Sequence, residues 1–343
     1  PESGLDTVSV SDCHVVLGYL NPDNFLGGAI KLDVERARQH IGEQIADPLG
    51  LQVDDAAAGV IELLDLQLRE YLRSNVAAKG YSPTDFVCFS YGGAGPVHTY
   101  GYSEGLGFKD VIVPAWAAGF SAFGCACADF EYRYDKSVDL AVPQNGSPED
   151  KRNAARAIQQ GWEELAAKVV EEFKINGFDA KDVILRPGFR MQYMGQLNDL
   201  EIVSPIHSAA SEGDWDKMVE TFEETYSRVY ASAARSPELG FSVTGVIMRG
   251  TVVTQKPVLP EDPEEGPEPP AAARLGTRKF ARHKEWVDAT LWKMEDLKPG
   301  NEITGPAIIE SDATTFVVPD GFATTLDKHR LFHLRETGNK VSH

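Results

Sequence analysis

The chain has 343 residues, 42% of them hydrophobic, and a formal net charge of −19. This length suffices for about two or three domains and a sizeable core. The acidic excess, with no run of Lys or Arg, argues against nucleic acid and anionic membrane surfaces as partners, because both would repel the chain. No apolar run is long enough to span a bilayer and no signal-peptide pattern opens the sequence, so we expect a cytoplasmic protein.

The first 80 residues predict a turn and two helices. The turn falls at residues 21–23, Asn-Pro-Asp. Asp33 is suited to cap a helix that runs to about residue 45 and is ended by Pro48. From residue 53, apolar residues recur every three or four positions, which predicts a long amphipathic helix that ends near Gly80.

The stretch at residues 86–98, FVCFSYGGAGPVH, predicts a strand, a tight glycine turn and a helix. Pro96 suits the first turn of a helix, where its missing N–H is not needed. Glycine lets the backbone approach a flat or anionic ligand closely, and the following N–H groups offer partial positive charge. Two interpretations stay open here, a nucleotide contact and a plain turn after a buried strand. The spacing matches neither G-x-x-x-x-G-K-[ST] nor G-x-G-x-x-G.

Residues 110–114 predict a second short strand. A strand, a helix and a strand at this spacing indicate a βαβ unit in a parallel sheet covered by helices, hence an α/β fold. The segment at residues 115–129 is rich in small residues. If it is extended, Cys125 and Cys127 share one face, either as a metal-binding pair or as small core residues. The four cysteines contain no C-x-x-C pair, which predicts free buried thiols.

The second half of the chain predicts strands alternating with two long helices. An edge strand is expected at 130–142, and a turn and N-cap at 145–149 precede a helix that reaches Gly177. Two strands fall within 183–203, with residues 189–196 between them. A helix at 215–230 and a strand at 241–253 follow. Residues 256–275 are acidic and rich in proline, which predicts a linker. Short strands separated by Pro-Gly turns then predict a small all-β unit.

Five blocks of this sequence together resemble the hydantoinase A/5-oxoprolinase family. They lie at residues 16–28, 89–98, 113–129, 193–196 and 305–315, in the order that the family shows. The resemblance covers nearly the whole chain. Residues 116–127, WAAGFSAFGCAC, look most like the acetone and acetophenone carboxylase branch, because other members have Pro-Gly in place of Ala118-Gly119.

The resemblance implies that residues 1–142 are the C-terminal portion of an actin/Hsp70-like (ASKHA) ATPase core. An α+β segment would follow at 143–255, then the acidic proline-rich linker at 256–275 and a small β domain at 276–343. The cofactor is then ATP with Mg²⁺. The family's nucleotide-contacting turn falls on Gly92, Gly93, Ala94 and Gly95. His98, one turn into the helix, is either a further ligand contact or a satisfied helix histidine.

The sequence departs from the family pattern in the turns that bind the phosphates. Such ATPases hold the phosphates and Mg²⁺ through two Asp-x-Gly-Gly-Thr turns, and neither occurs here. Asp129, Asp135 and Asp312 have the right chemistry for Mg²⁺ but no adjacent glycine turn. The chain therefore resembles the C-terminal half of the usual subunit. Either a sibling polypeptide supplies the other half, or the sequence is part of a longer subunit.

The function that the resemblance implies is that of an ATP-dependent ketone carboxylase, a ligase in which this chain is part of the nucleotide-binding component of a hetero-oligomer. ATP would activate bicarbonate or the ketone's enol by phosphorylation. One alternative is ATP-dependent opening of a cyclic amide, as in hydantoin or 5-oxoproline hydrolysis. Another is a structural subunit that no longer contacts nucleotide. Catalytic residues are not assigned, since the histidines are scattered and Cys88 lies on a predicted buried strand.

Overall fold

The computed structural model describes residues 6–282 and 285–338. Within them the chain is a mixed α/β structure with three β-sheets. Its α-helices are Val10–Val16 (α1), Val34–Ile41 (α2), Asp47–Leu49 (α3), Val53–Ala77 (α4), Thr99–Ser103 (α5), Phe120–Cys127 (α6), Pro148–Ile175 (α7) and Glu212–Tyr230 (α8). Its strands are Val87–Phe89 (β1), Asp110–Pro114 (β2), Phe130–Val142 (β3), Ile184–Tyr193 (β4), Leu200–Val203 (β5), Phe241–Val252 (β6), Arg274–Arg282 (β7), Glu285–Lys293 (β8), Glu302–Thr304 (β9), Ala307–Glu310 (β10), Thr315–Val318 (β11), Phe322–Leu326 (β12) and Leu331–Glu336 (β13).

The chain divides into two compact units, and each unit is built from segments that are distant in the sequence. The first unit contains the described parts of residues 1–77, 82–125 and 258–343. The second unit contains residues 78–81 and 126–257. The C-terminal strands therefore belong to the same unit as the glycine turn.

The glycine turn lies in the predicted βαβ unit, but the prediction of a parallel sheet is wrong, because the other described strand pairs of this sheet are antiparallel. β1 and β2 run parallel, with Cys88 opposite Val111. The connection contains a 3₁₀ turn at Gly95–His98 followed by α5. The prediction that β1 is buried is wrong: β1 is an edge strand of the described sheet. Val87 and Phe89, whose side chains project from the same face of the sheet, are each 42% exposed.

The predicted C-terminal strands are present, but they do not form one all-β sheet of their own. β9, β12 and β13 join β1 and β2 in a five-stranded sheet of order β1-β2-β13-β12-β9. β13 pairs antiparallel with β2, so Phe332 lies opposite Val113. The remaining strands form a second sheet of order β11-β10-β8-β7. A local sequence pattern predicts that a segment is a strand but not which distant strand it pairs with.

A small apolar cluster fixes the segment after the glycine turn to the second sheet. Val97 packs with Phe280 of β7, Ile308 of β10 and Val317 of β11, and all four are buried. Full burial of a side chain of this size contributes about 1.5–3 kcal/mol. The residues that follow the turn are thus anchored by the C-terminal strands.

The helix α2 is capped as predicted, but the helical path does not end where the sequence predicts. Asp33 caps α2, and its Oδ1 accepts a hydrogen bond from the Arg36 N–H at 3.0 Å. The helical path continues through a π turn at Gly42–Ala46 into α3. Pro48 therefore does not end the helix but lies at the start of α3. Proline fits there because the first helical positions need no N–H donor.

The second unit is an antiparallel sheet of order β3-β6-β4-β5, with α7 and α8 packed against it around one core. β3 is the predicted edge strand, and Ser147 caps α7 as predicted. The prediction that residues 189–196 lie between two strands is wrong for their first part. Phe189, Met191 and Tyr193 belong to β4, where their alternation places all three in the core.

The acidic proline-rich segment contains neither helix nor strand between residues 258 and 270, as expected of a linker. Backbone hydrogen bonds nevertheless join it to other segments of the first unit. The Asp262 N–H donates to the Lys328 carbonyl, and the Glu265 N–H donates to the Pro299 carbonyl. These backbone hydrogen bonds give the segment one path although it buries few apolar groups.

The four cysteines are free thiols, as predicted. Only Cys13 is fully buried, and Cys125 is exposed, so the prediction of burial is wrong for that residue. Cys125 and Cys127 lie on the helix α6 and not on an extended segment. Residues two positions apart on a helix do not share a face, which removes the geometric basis for a metal-binding pair.

Candidate functional site

The first residue of the glycine turn has a backbone conformation that glycine adopts most easily. Gly92 has a φ of +89°, in the left-handed region that side chains disfavour. A Cβ built on Gly92 would meet no described atom within 4 Å, so the space in front of it is open. The Gly92 N–H donates to the Ala117 carbonyl at 2.8 Å, which ties the turn to the segment between β2 and α6.

The loop between β10 and β11 holds the carbonyl side of the same turn. The Thr314 hydroxyl lies 3.1 Å from the Gly92 carbonyl oxygen and 3.2 Å from that of Gly93. Thr314 is 5% exposed. The Ser311 hydroxyl accepts hydrogen bonds from the N–H groups of Ala313 and Thr314, which fixes this loop. The sequence assigned no role to Thr314, because it lies more than 200 positions from the turn.

The N–H groups of Gly93, Ala94 and Gly95 have no hydrogen-bond partner among the described residues. The oxygen and hydrogen of a trans peptide lie on opposite sides. Since the Gly92 and Gly93 carbonyls face Thr314, the N–H groups of Gly93 and Ala94 point away from it. Neither N–H donates a hydrogen bond to any residue that the structure describes. Free backbone N–H groups donate hydrogen bonds to anionic oxygen atoms. We refer to the N–H groups of Gly93 and Ala94 as the amide pair.

A cavity of about 210 Å³ lies beside the turn. Gly93 and Ala94, the loop at residues 20–26 and residues 310–315 all border it. Glu310 and Asp312 contribute carboxylates, and the described lining residues include neither Lys nor Arg. Glu310 is paired with Arg278, which leaves Asp312 as the uncompensated charge. This surface accepts hydrogen bonds from an uncharged ligand and disfavours a phosphate inside the cavity.

The structure places His98 behind the turn, outside the set of residues that line the cavity. Its Nδ1 lies 2.6 Å from Oδ1 of Asp65, and the residue is 6% exposed. This partner satisfies one ring nitrogen of His98, as the helix-histidine interpretation requires. Asp65 lies on α4, 33 positions earlier, and the sequence offered no sign of the pairing. Of the residues that the sequence placed at the site, Gly93 and Ala94 border the cavity, and Gly92, Gly95 and His98 do not.

A second histidine, His14, lines the cavity. Its ring centroid lies 4.6 Å from that of His98. Burial, and secondarily the neighbouring His98, lowers the pKa of His14 to about 3. The ring is therefore neutral at neutral pH. Its Nε2 has no hydrogen-bond partner among the described residues.

The described residues do not supply a metal centre or an activated nucleophile. They contain no group of three or more His, Cys, Asp or Glu side chains arranged to hold a metal ion. Asp129 is paired with Lys256, and Asp135 with Arg133. Burial raises the pKa of the Cys88 thiol to about 11, which makes it a poor nucleophile as predicted. No helix in the described ranges has the length and apolar content of a bilayer span, and the cytoplasmic location stays a prediction.

Two family models match most of the chain. The model described as Hydantoinase/oxoprolinase matches residues 1–134. The model described as Hydantoinase/oxoprolinase C-terminal domain matches residues 145–337.

Curated relatives include two carboxylase subunits. The chain is 68% identical over 335 residues to the acetone carboxylase beta subunit of Xanthobacter autotrophicus (strain ATCC BAA-1158 / Py2), covering 98% of this chain and 47% of that subunit. It is 33% identical over 325 residues to the acetophenone carboxylase gamma subunit of Aromatoleum aromaticum, covering 94% of this chain and 44% of that subunit. The chain thus spans about half the length of these relatives.

Solved structures share its mixed α/β fold. A nucleotide-free structure of acetone carboxylase, reported with the mechanism of ATP-dependent acetone carboxylation, superposes with a TM-score of 0.72 at 68% identity. That match covers 98% of this chain and 47% of the other. The ATP-dependent caprolactamase of Pseudomonas jessenii superposes with a TM-score of 0.80 at 25% identity, covering 96% of this chain and 47% of the other.

Proposed function

Since the chain belongs to the hydantoinase/oxoprolinase family, we propose that it is the C-terminal half of the nucleotide-binding component of an ATP-dependent ketone carboxylase. The five sequence blocks predicted the family, and the family models confirm that prediction. The identity of 68% to the acetone carboxylase beta subunit favours a small ketone and bicarbonate as substrates. The assembled enzyme would be a hetero-oligomer.

The observation that carries the nucleotide assignment is the position of the amide pair beside the cavity. A nucleotide has an uncharged base and ribose joined to an anionic phosphate chain. The cavity suits the first part, because its hydroxyl, amide and carboxylate groups accept hydrogen bonds. The amide pair suits the second part, because free N–H groups attract anionic oxygen. Gly92, Gly93, Ala94 and Gly95 would contact the nucleotide, and His98 would support the turn through Asp65.

The fold that we propose for this part of the chain is that of an actin/Hsp70-like ATPase core. The parallel β1 and β2 joined through a glycine turn and helix support this assignment. β1 leaves its outer edge unpaired among the described strands, and Phe89 is 42% exposed. The relatives are about twice as long as this chain. We therefore propose that the other half of the core pairs with β1 and covers Phe89.

That other half would also hold the phosphates and Mg²⁺, since the described residues offer no suitable cluster of acidic ligands. ATP, when bound, would supply the phosphoryl group that activates bicarbonate or the enol of the ketone. The described residues would bind and orient the nucleotide. Complete phosphoryl transfer requires the metal and charge-stabilising groups as well.

ATP-dependent opening of a cyclic amide is the second candidate function. The shared fold with the ATP-dependent caprolactamase of Pseudomonas jessenii, at a TM-score of 0.80 and 25% identity, keeps it open. Higher sequence identity supports the carboxylase. ATP turnover by the purified complex distinguishes the two: a carboxylase requires both ketone and bicarbonate, whereas an amidase turns over ATP with a lactam or hydantoin alone. A purely structural subunit would leave the free amide pair without a ligand.

The nucleotide assignment is tested by filling the cavity from Ala94, which is exposed on the turn. In the full-length assembled protein we expect Ala94→Phe to weaken ATP binding at least tenfold, because the ring occupies ligand space. Ala210→Phe, at an exposed position in the second unit, serves as the control and should bind ATP normally. Isothermal titration calorimetry measures both. Equal ATP affinity of Ala94→Phe and the wild type would refute the assignment.

A further inference from the structure

We infer that Thr314 is a positioning residue that sets the direction of the amide pair. Its hydroxyl shares one proton between the Gly92 and Gly93 carbonyls and keeps both on one side of the turn, so that the N–H groups of Gly93 and Ala94 face the other side. This inference rests on the proposed nucleotide function. It adds a residue from the C-terminal strands to a site that the sequence placed entirely at residues 92–98.

The glycine turn needs such a constraint because its peptide planes rotate easily. Gly92 and Gly93 have no Cβ, and glycine populates positive and negative φ about equally. Rotation of either peptide plane would exchange its N–H and C=O directions, as between turns of types I and II. An anionic oxygen would then meet a carbonyl oxygen in place of a donor. The Thr314 hydroxyl stabilises the orientation in which both carbonyls face it, at 3.1 and 3.2 Å.

Thr314 is itself held rigidly enough to act in this way. It precedes β11, whose first residue, Thr315, pairs with Glu310 of β10. Ser311 accepts hydrogen bonds from the N–H groups of Ala313 and Thr314 and closes the loop. The Ala313 carbonyl oxygen would lie 3.2 Å from a Cβ on Gly93, so the loop and the turn are already in close contact. The second sheet therefore determines where the hydroxyl lies.

The test replaces the hydroxyl with a methyl group of similar size. We expect Thr314→Val to weaken ATP binding about tenfold in the full-length assembled protein, since it removes the hydrogen bond that holds the carbonyls. Thr314→Ser keeps the hydroxyl and should restore ATP affinity to within about twofold of the wild type. Adenosine binding should change less than about twofold in Thr314→Val, because adenosine has no anionic group to meet the amide pair.

Thr324 offers a matched control in the same unit. It is 1% exposed, and its hydroxyl has no hydrogen-bond partner among the described residues. Thr324→Val is therefore the same chemical change at a buried site remote from the turn, and it should leave ATP and adenosine affinities unchanged. Isothermal titration calorimetry and the thermal unfolding midpoint are measured for all four proteins.

Each failure has a distinct meaning. If Thr314→Val binds ATP as the wild type does, Thr314 has no positioning role and the nucleotide proposal stands. If Thr314→Val loses ATP and adenosine affinity equally and its unfolding midpoint falls, Thr314 acts only in stability and the inference is overturned. If the wild-type protein binds neither ligand, the nucleotide proposal fails and this inference fails with it.

Discussion

The tryptophan side chains on the two long helices of the second unit are buried, whereas the aromatic side chains beside the glycine turn of the first unit are exposed. In the second unit, α7 and α8 close over the sheet, and Trp162 and Trp215 are 2% and 1% exposed. In the first unit, Phe89 and Tyr91 next to the glycine turn are 42% and 46% exposed. Both units also carry exposed apolar residues, such as Leu197 in the second, but in the first unit the exposed rings of Phe89 and Tyr91 both contact Phe120. Contiguous exposed apolar surface of this kind marks an interaction site.

The helix α6, which begins in the first unit, adds further exposed apolar residues near the glycine turn. Its sequence FSAFGCAC is apolar, yet none of its residues is fully buried. Phe120 of α6 stacks on Phe89 with ring centroids 5.4 Å apart, and Trp116 lies 5.3 Å from Phe120. Among the described residues, this apolar helix therefore has no buried face.

The largest expected effect is on the core of the second unit. Trp162→Ala should lower the free energy of unfolding by about 3–5 kcal/mol, through the lost indole contacts and the cavity that remains. It also removes the hydrogen bond from the indole N–H to the Gly188 carbonyl at 2.8 Å. Trp116→Ala in the first unit removes a half-buried ring and should cost less than about half as much. Urea denaturation measures both, and equal losses would break the comparison between the units.

An intermediate effect is expected from the titration of a buried histidine of the first unit, His14. His14 binds a proton at its ordinary pKa of 6.5 when unfolded but only near about 3 when folded. The unfolded state thus takes up more protons between these values, and stability falls as pH drops below 6.5, by up to about 1.4 kcal/mol per unit. The second unit has only His207, which is exposed.

The variant that tests this pH effect is His14→Leu, which cannot titrate. Because Nε2 of His14 has no described partner, the change forfeits no hydrogen bond at that atom. Urea denaturation of wild type and variant at pH 7 and pH 5.5 should show a smaller loss of stability in the variant. Parallel losses in both proteins would show that buried His14 does not control the acid sensitivity of the first unit.

The smallest effect on stability is expected at Phe89, where the effect on assembly should be large. Phe89→Ser should change the free energy of unfolding of this chain by less than about 1 kcal/mol, because the ring is already partly in water. Assembly of the complete enzyme, followed by native mass spectrometry, should be impaired. Leu197→Ser, at a residue 97% exposed in the second unit, is the control. Normal assembly of Phe89→Ser would contradict the proposal that another segment covers β1.

The sequence predicted features that depend on neighbouring residues. The Asp33 and Ser147 caps form as expected, because a cap needs only an acceptor side chain and an amide within three positions. β2 and β3 have the predicted bounds. The glycine turn, the 3₁₀ start at Gly95 and the irregular linker also follow from local composition. Family membership was equally visible, since the five blocks are carried by the order of residues along the chain.

Only the tertiary structure determined which distant residues contact each other. Thr314 reaches the glycine turn, Asp65 pairs with His98 and β13 pairs with β2, each across a long separation in the chain. These contacts depend on which apolar faces are buried together in the whole fold. Because the hydrophobic effect is non-directional, the residues of a short segment do not specify which distant face they pack against. The exposure of β1 has the same origin, because the cover of an edge strand is decided by other segments and not by its own residues.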